Sequence, residues 1–154
     1  MIQSCCASRK SSTVQEQDLL LRIGVFDELK ILDLSDLRIH TLPDLVLQQS
    51  DKIEHLILDE NELDENFLED VCFPNLKTLS LNSNKIRNIG VFLQQISWKC
   101  PNLVFLSLIG NPGWPHPVQG NNVQSYATVA RTVCRFLPNL KFLDSMPTVA
   151  WQSK

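Results

Sequence analysis

At 154 residues the chain has the length of one domain and can bury a genuine core. Its formal charge is −3, from 14 basic and 17 acidic residues, and the basic ones are scattered, which argues against a nucleic-acid partner. No run approaches the roughly 18 apolar residues of a membrane-spanning helix, and the start MIQSCCASRK lacks the apolar stretch of a secretory signal.

Residues 1–17 are polar and read as a flexible tail. Within it Cys5 and Cys6 allow two readings, a lipidated pair or plain tail residues; no glycine stands at position 2 for myristoylation. With Cys72, Cys100 and Cys134 the cysteines number five, an odd count without a scaffold rhythm, so reduced thiols in the cytoplasm are expected. The stretch DLLLRIGV, 18–25, alternates Leu19, Leu21, Ile23 and Val25 and reads as an edge strand or a degenerate repeat.

From Leu29 a template L-x-x-L-x-L-x-x-N-x-L recurs: LKILDLSDLRI at 29–39, IEHLILDENEL at 53–63, LKTLSLNSNKI at 76–86 and LVFLSLIGNPG at 103–113. The starts are 24, 23 and 27 residues apart, and a truncated copy, LKFLD, closes the series at 140–144. Between copies, 44–50 and 64–70 have room for a helical turn or two. Residues 90–100 put Phe92, Leu93, Ile96 and Cys100 on one helical face. The stretch GNPGWPHPVQGNN, 110–122, is an irregular loop by its prolines and glycines, and its Trp114 either packs on the C-terminal cap or meets a partner. Asn122 is placed to cap a helix whose apolar face is Val123, Tyr126, Ala127, Ala130, Val133, Cys134 and Leu137. Residues 148–154 read as a tail, with Trp151 a weaker candidate for contact.

The three near-complete copies at almost constant spacing resemble leucine-rich repeat proteins, and the resemblance covers roughly 29–147. It implies an α/β fold: a repeat solenoid over 18–147 with a parallel concave sheet, repeats starting near 29, 53, 76 and 103, and a helix–strand cap at 122–147, because terminal coils otherwise expose a leucine layer. In such a coil the chain turns sharply after a short strand and leaves buried peptide groups without partners, at about 1–3 kcal/mol each. Asn61, Asn84 and Asn111 share one register and are expected to form a structural ladder, since an amide both donates and accepts. Leu37 replaces the asparagine in the first copy, so that turn is expected to differ in shape.

No chemistry-bearing constellation appears. His40, His55 and His116 form no metal-type pair with cysteine or carboxylate, and no phosphate-cradling or nucleophile-elbow motif is present. The acidic run Asp59, Glu60, Glu62, Asp64 and Glu65 fails the calcium-loop spacing. The expectation is a non-enzyme without cofactor or metal. What remains is surface: the outward strand positions carry Ile31, His55, Ile57, Phe105, Ile109 and Phe142, a candidate partner-binding patch, rimmed by Asp33, Asp59 and Asp144. The alternative is that the C-terminal phenylalanines tuck under the Trp114 loop or the tail.

The segments FPNLKTLSLNSNKI, FLSLIGN and CRFLPNLKFLD are similar to one subgroup of small cytosolic repeat proteins. That resemblance implies a monomeric adaptor in the biogenesis or trafficking of melanosome-type, lysosome-related organelles, with a Rab-type small GTPase or trafficking complex as partner. The GWPHP loop is unusual for the subgroup. A second branch with the same capping style implies a scaffold of splicing ribonucleoproteins or a phosphatase regulator; RNA contact would fall to Lys77, Lys85, Arg87 and Lys99.

Overall fold

The computed structural model describes residues 30–115 and 123–152. The expectations for the 1–17 tail, the 18–25 strand, His116 and the Asn122 cap lie outside the described residues.

Leucines at alternate positions set the sheet. Leu32 and Leu34, Leu56 and Leu58, Leu79 and Leu81, Leu106 and Leu108, and Leu143 are all buried, and alternation is the strand period. They carry five short strands: β1 (Ile31–Asp33), β2 (His55–Ile57), β3 (Thr78–Ser80), β4 (Phe105–Ser107) and β5 (Phe142–Leu143). Their spatial order is their chain order, and all neighbours pair in parallel. The register matches the repeat template without a slip: Ile31, His55, Thr78, Phe105 and Phe142 are successive partners.

Strands β1 to β4 end in the same turn. Asp36 (φ 55°), Glu60 (φ 56°), Ser83 (φ 54°) and Gly110 (φ 82°) occupy one template position and are all left-handed. In the last three of these turns the next position holds a buried asparagine. Asn84 donates to the carbonyls of Leu58 (2.8 Å), Leu81 (3.1 Å) and Asn82 (3.2 Å) and accepts from the Leu63 amide (3.1 Å). Asn111 donates to Leu81 and Leu108 and accepts from Ile86. Asn61 donates to Leu34, Leu58 and Asp59. Its oxygen accepts from both Leu37 and Ile39 of the first coil. That coil, which lacks an asparagine, bends through a second left-handed residue, Arg38 (φ 52°).

The return segments vary. Helix α1 (Asp44–Gln48) buries Val46. Residues 64–70 form no helix, contrary to expectation. The Asp64 carboxylate takes the Asn66 amide (2.8 Å), and the next bonds along the segment span three residues, Phe67 to Asp64 and Glu69 to Asn66. Helix α2 (Ile89–Lys99) is capped by Asn88, whose side chain accepts from the Val91 amide, and it buries Phe92, Leu93 and Ile96. Helix α3 (Val123–Phe136) turns Tyr126, Ala130, Val133 and Cys134 inward.

The C-terminal end departs from the expected tail. Asp144 (φ 50°) and Ser145 (φ 68°) make a two-residue reversal with both residues left-handed, the arrangement that suits tight hairpins. It leads to β6 (Met146–Pro147), antiparallel to β5, and then to α4 (Val149–Gln152). Residues 148–152 are docked. Thr148 is buried and its hydroxyl donates to the Leu140 carbonyl (2.6 Å), as does the Gln152 amide (2.9 Å). A proline in this edge strand also withholds a backbone donor, which blunts further strand pairing.

Candidate protein-interaction face

Side chains between the buried leucines point to the other face of the sheet, in three rows across the strands. The row at the strand starts holds Ile31, His55, Thr78, Phe105 and Phe142. Ile31 is 66% exposed and Phe142 43% exposed, while His55 and Phe105 are half-buried. His55 Nδ1 and Thr78 Oγ1 share a hydrogen bond of 2.9 Å. Ile57 and Ile109, in the next two rows, are also half-buried. The six expected apolar and histidine positions therefore lie on one face.

The polar positions beyond them are turned to internal use. Asp59 accepts from the Ser80 hydroxyl (2.7 Å) and from the Asn82 amide (2.9 Å). Asn82 Oδ1 accepts from the Ser107 hydroxyl (2.7 Å) and the Ile109 amide (2.9 Å). The chain of bonds ends at Asp144. Its Oδ1 accepts from the Leu108 amide (2.7 Å) and lies 3.3 Å from the Ser107 hydroxyl, whose one proton goes to the nearer Asn82; its Oδ2 accepts from the Trp114 indole (2.7 Å) and the Tyr126 hydroxyl (2.9 Å).

One expectation is corrected here, and of the two readings of Trp114 the packed one holds. Asp144 is not an exposed rim acid; it is 5% exposed, because Trp114 and Tyr126 close over it. Trp114 is not available to a partner; it is 6% exposed, its N–H is spent on Asp144, and its ring meets Tyr126 edge-on at 5.9 Å. Gly113 permits that placement, since a Cβ there would stand 2.1 Å from the Arg87 carbonyl oxygen. Trp151 is likewise packed, edge-on to Tyr126 at 5.8 Å. Burial and the Asp144 charge push the Tyr126 hydroxyl far above its ordinary range. Burial pushes the Cys100 thiol up to about 12 and raises Cys134 as well.

Charge is divided across this face. At the strand starts Glu54 sits between Lys77 (2.6 Å) and Lys30 (3.4 Å), and the Lys77 hydrogen bond holds its carboxyl below the usual range. At the strand ends stand Asp33, Asp36, Asp59 and Glu60. Among the described residues no three His, Cys, Asp or Glu side chains gather as a metal site. Among the described residues His40 pairs with Glu62, at 3.4 Å. No described helix is long and apolar enough to cross a membrane.

Two features escaped the sequence reading. Trp98, on the outer side of α2, is 81% exposed. A second amide ladder runs along the strand starts: Asn75 donates to the Asp51 carbonyl (2.6 Å), Asn102 to Pro74 (2.7 Å) and Asn139 to Pro101 (3.4 Å). Its signal was present as Pro-Asn-Leu at 74–76, 101–103 and 138–140.

These observations define an α/β protein with a six-stranded, mostly parallel sheet whose outward side offers apolar surface at one end and internal polar bonding at the other. No protein-family model matches the chain. The human leucine-rich melanocyte differentiation-associated protein is 36% identical over 95 residues, covering 60% of this chain and 48% of that protein. The chain thus spans about half the length of this curated relative. A chain of the solved structure of Chaetomium Mex67:Mtr2 subunits superposes with a TM-score of 0.56, covering 88% of this chain and 91% of its own; at 23% identity the likeness is one of fold.

Proposed function

We propose that the chain is a leucine-rich repeat solenoid acting as a non-catalytic, cytoplasmic protein-binding adaptor through the outward face of its sheet. In this reading it serves the biogenesis or trafficking of pigment-type, lysosome-related organelles, with a Rab-type small GTPase or its associated complex as partner. One observation carries the binding assignment. Ile31, His55, Thr78, Phe105 and Phe142 form a registered row, apolar at both ends with the bonded His55–Thr78 pair between them, while the polar side chains of the next rows bond to one another. Exposed apolar side chains beside charged groups suit a protein partner. The melanocyte term in the name of the 36%-identical relative supports the cellular setting.

The test is affinity purification from pigment cells followed by mass spectrometry, comparing the natural chain with Phe105→Asp and Phe142→Ala. Both variants should lose the same specific partners while the urea midpoint of Phe142→Ala stays near the natural value. Retention of every partner by both variants would refute the face. Loss of partners among which no Rab-type GTPase or its complex occurs would refute the partner assignment.

A further inference from the structure

Beside the outward face, at the starts of β4 and β5, the chain forms a surface cleft of about 740 Å³ lined by Val104, Lys141, Phe142, Pro147, Val149 and Gln152 among others. Phe142 belongs both to this cleft and to the first row of the sheet. Its apolar wall is open to water: Val149 is 71% exposed and Pro147 is exposed. The polar groups along the wall are mostly engaged, Gln152 with the Leu140 carbonyl and Asn102 with Pro74. In the adjoining cleft, which shares Asn102 and Val104, Lys77 is spent on Glu54. Lys141 differs, because its ammonium makes no ion pair with any described residue. A chain of net charge −3 thus presents, among its described residues, a cation with no acid paired to it beside an exposed apolar wall.

We propose that this cleft is a docking slot for a short acidic–apolar segment of a partner protein, an aspartate or glutamate meeting Lys141 and an aliphatic or aromatic side chain lying on Val104, Phe142 and Val149. The proposal rests on the adaptor reading, deepening it by naming the partner's chemistry. A nucleic-acid backbone would call for several gathered cations, and a membrane surface for a wider basic and apolar face.

The experiment pans a displayed random dodecapeptide library on the full chain and, in parallel, on Lys141→Glu and Val149→Asp. Both substitutions fall on exposed side chains, and urea midpoints check that each variant folds. The natural chain should enrich peptides pairing Asp or Glu with Leu, Ile or Phe. Each variant should bind those peptides at least tenfold more weakly, and affinity for the natural chain should fall with added salt. Enrichment of basic or uncharged peptides, no enrichment at all, or equal binding by Lys141→Glu would overturn the slot. If the slot fails while partner capture still depends on Phe105, the adaptor reading stands alone. If the slot succeeds while Phe105→Asp keeps every partner, the outward face is what falls.

Discussion

Trp114 donates its indole N–H to Asp144 Oδ2 at 2.7 Å, tying the irregular loop after β4 to the hairpin that closes the sheet. Both oxygens of that carboxylate accept from groups that can only donate, the Leu108 amide and the Trp114 indole. Asp144→Asn therefore sets an NH₂ against an N–H in either amide orientation. It should destabilise by about 1–3 kcal/mol, the cost of a buried group left unpaired. Trp114→Phe leaves the carboxylate two donors, the Leu108 amide and the Tyr126 hydroxyl, and should cost less than Asp144→Asn in this hydrogen-bond contribution; comparing urea midpoints at constant slope, with Trp114→Phe corrected for the lost ring volume, decides the order.

Asn84→Leu removes the partner of three carbonyls and one amide in buried turns. A loss of about 1–3 kcal/mol is expected by the same reasoning. Urea unfolding measures it, and an unchanged midpoint and slope would remove the ladder from the account of stability.

Gly110→Ala should destabilise by about 1–2 kcal/mol from its left-handed backbone alone. Contact adds to this, because the new Cβ would stand 2.9 Å from Ser83 Oγ. Thermal melts of Gly110→Ala and of Ser83→Gly, which relieves a left-handed serine, should move in opposite directions.

Alkaline pH should unfold the protein before its tyrosine ionises. Cys100 and Tyr126 are both neutral when folded, with pKa values raised by burial from 9.0 and 10.0, Cys100 to about 12. The unfolded chain releases these protons first, so stability is complete below about pH 9 and declines as pH climbs from there towards 12. Tyr126 is the sole tyrosine, so tyrosinate absorbance reports it alone. That signal should rise together with the loss of circular dichroism, and Cys100→Ala should show a shallower alkaline decline. A tyrosinate signal that rises in the folded protein would contradict the buried Asp144 contact.

Truncation after Pro147 removes the Thr148 and Gln152 bonds to Leu140, the Thr148 amide bond to Lys141 and the Trp151 ring from Tyr126. Three hydrogen bonds at about 0.5–1.5 kcal/mol each put the expected loss at about 2 kcal/mol or more. A truncated chain with a native urea midpoint would return these residues to the status of a tail.

Period made much of the fold legible in advance. The strands, their register and the burial of Asn61, Asn84 and Asn111 all rest on one spaced pattern, and each coil needs only its neighbour to satisfy it. Asp144 stood at an outward template position, and nothing local distinguishes it from Asp33; its burial depends on Trp114, 30 residues away, and Tyr126, 18 away. Residues 148–152 escaped because a four-residue helix has no period to detect. The helical turn expected at 64–70 is replaced by single turns whose bonds span three residues, Phe67 to Asp64 and Glu69 to Asn66. Trp98 lies off the inward period of Phe92, Leu93 and Ile96, and that period is the one signal the α2 sequence carries.

The asparagine amides each reach back by one coil, never forward: Asn61 to Leu34, Asn84 to Leu58, Asn111 to Leu81. Such a pattern is indifferent to where it sits in the array. A duplicated copy of residues 76–102, spliced in after itself, would find behind it the same carbonyls its template finds. The number of coils is therefore open to lengthening by simple duplication, while the closing hairpin, which alone carries Asp144 and Pro147, is not interchangeable with any of them.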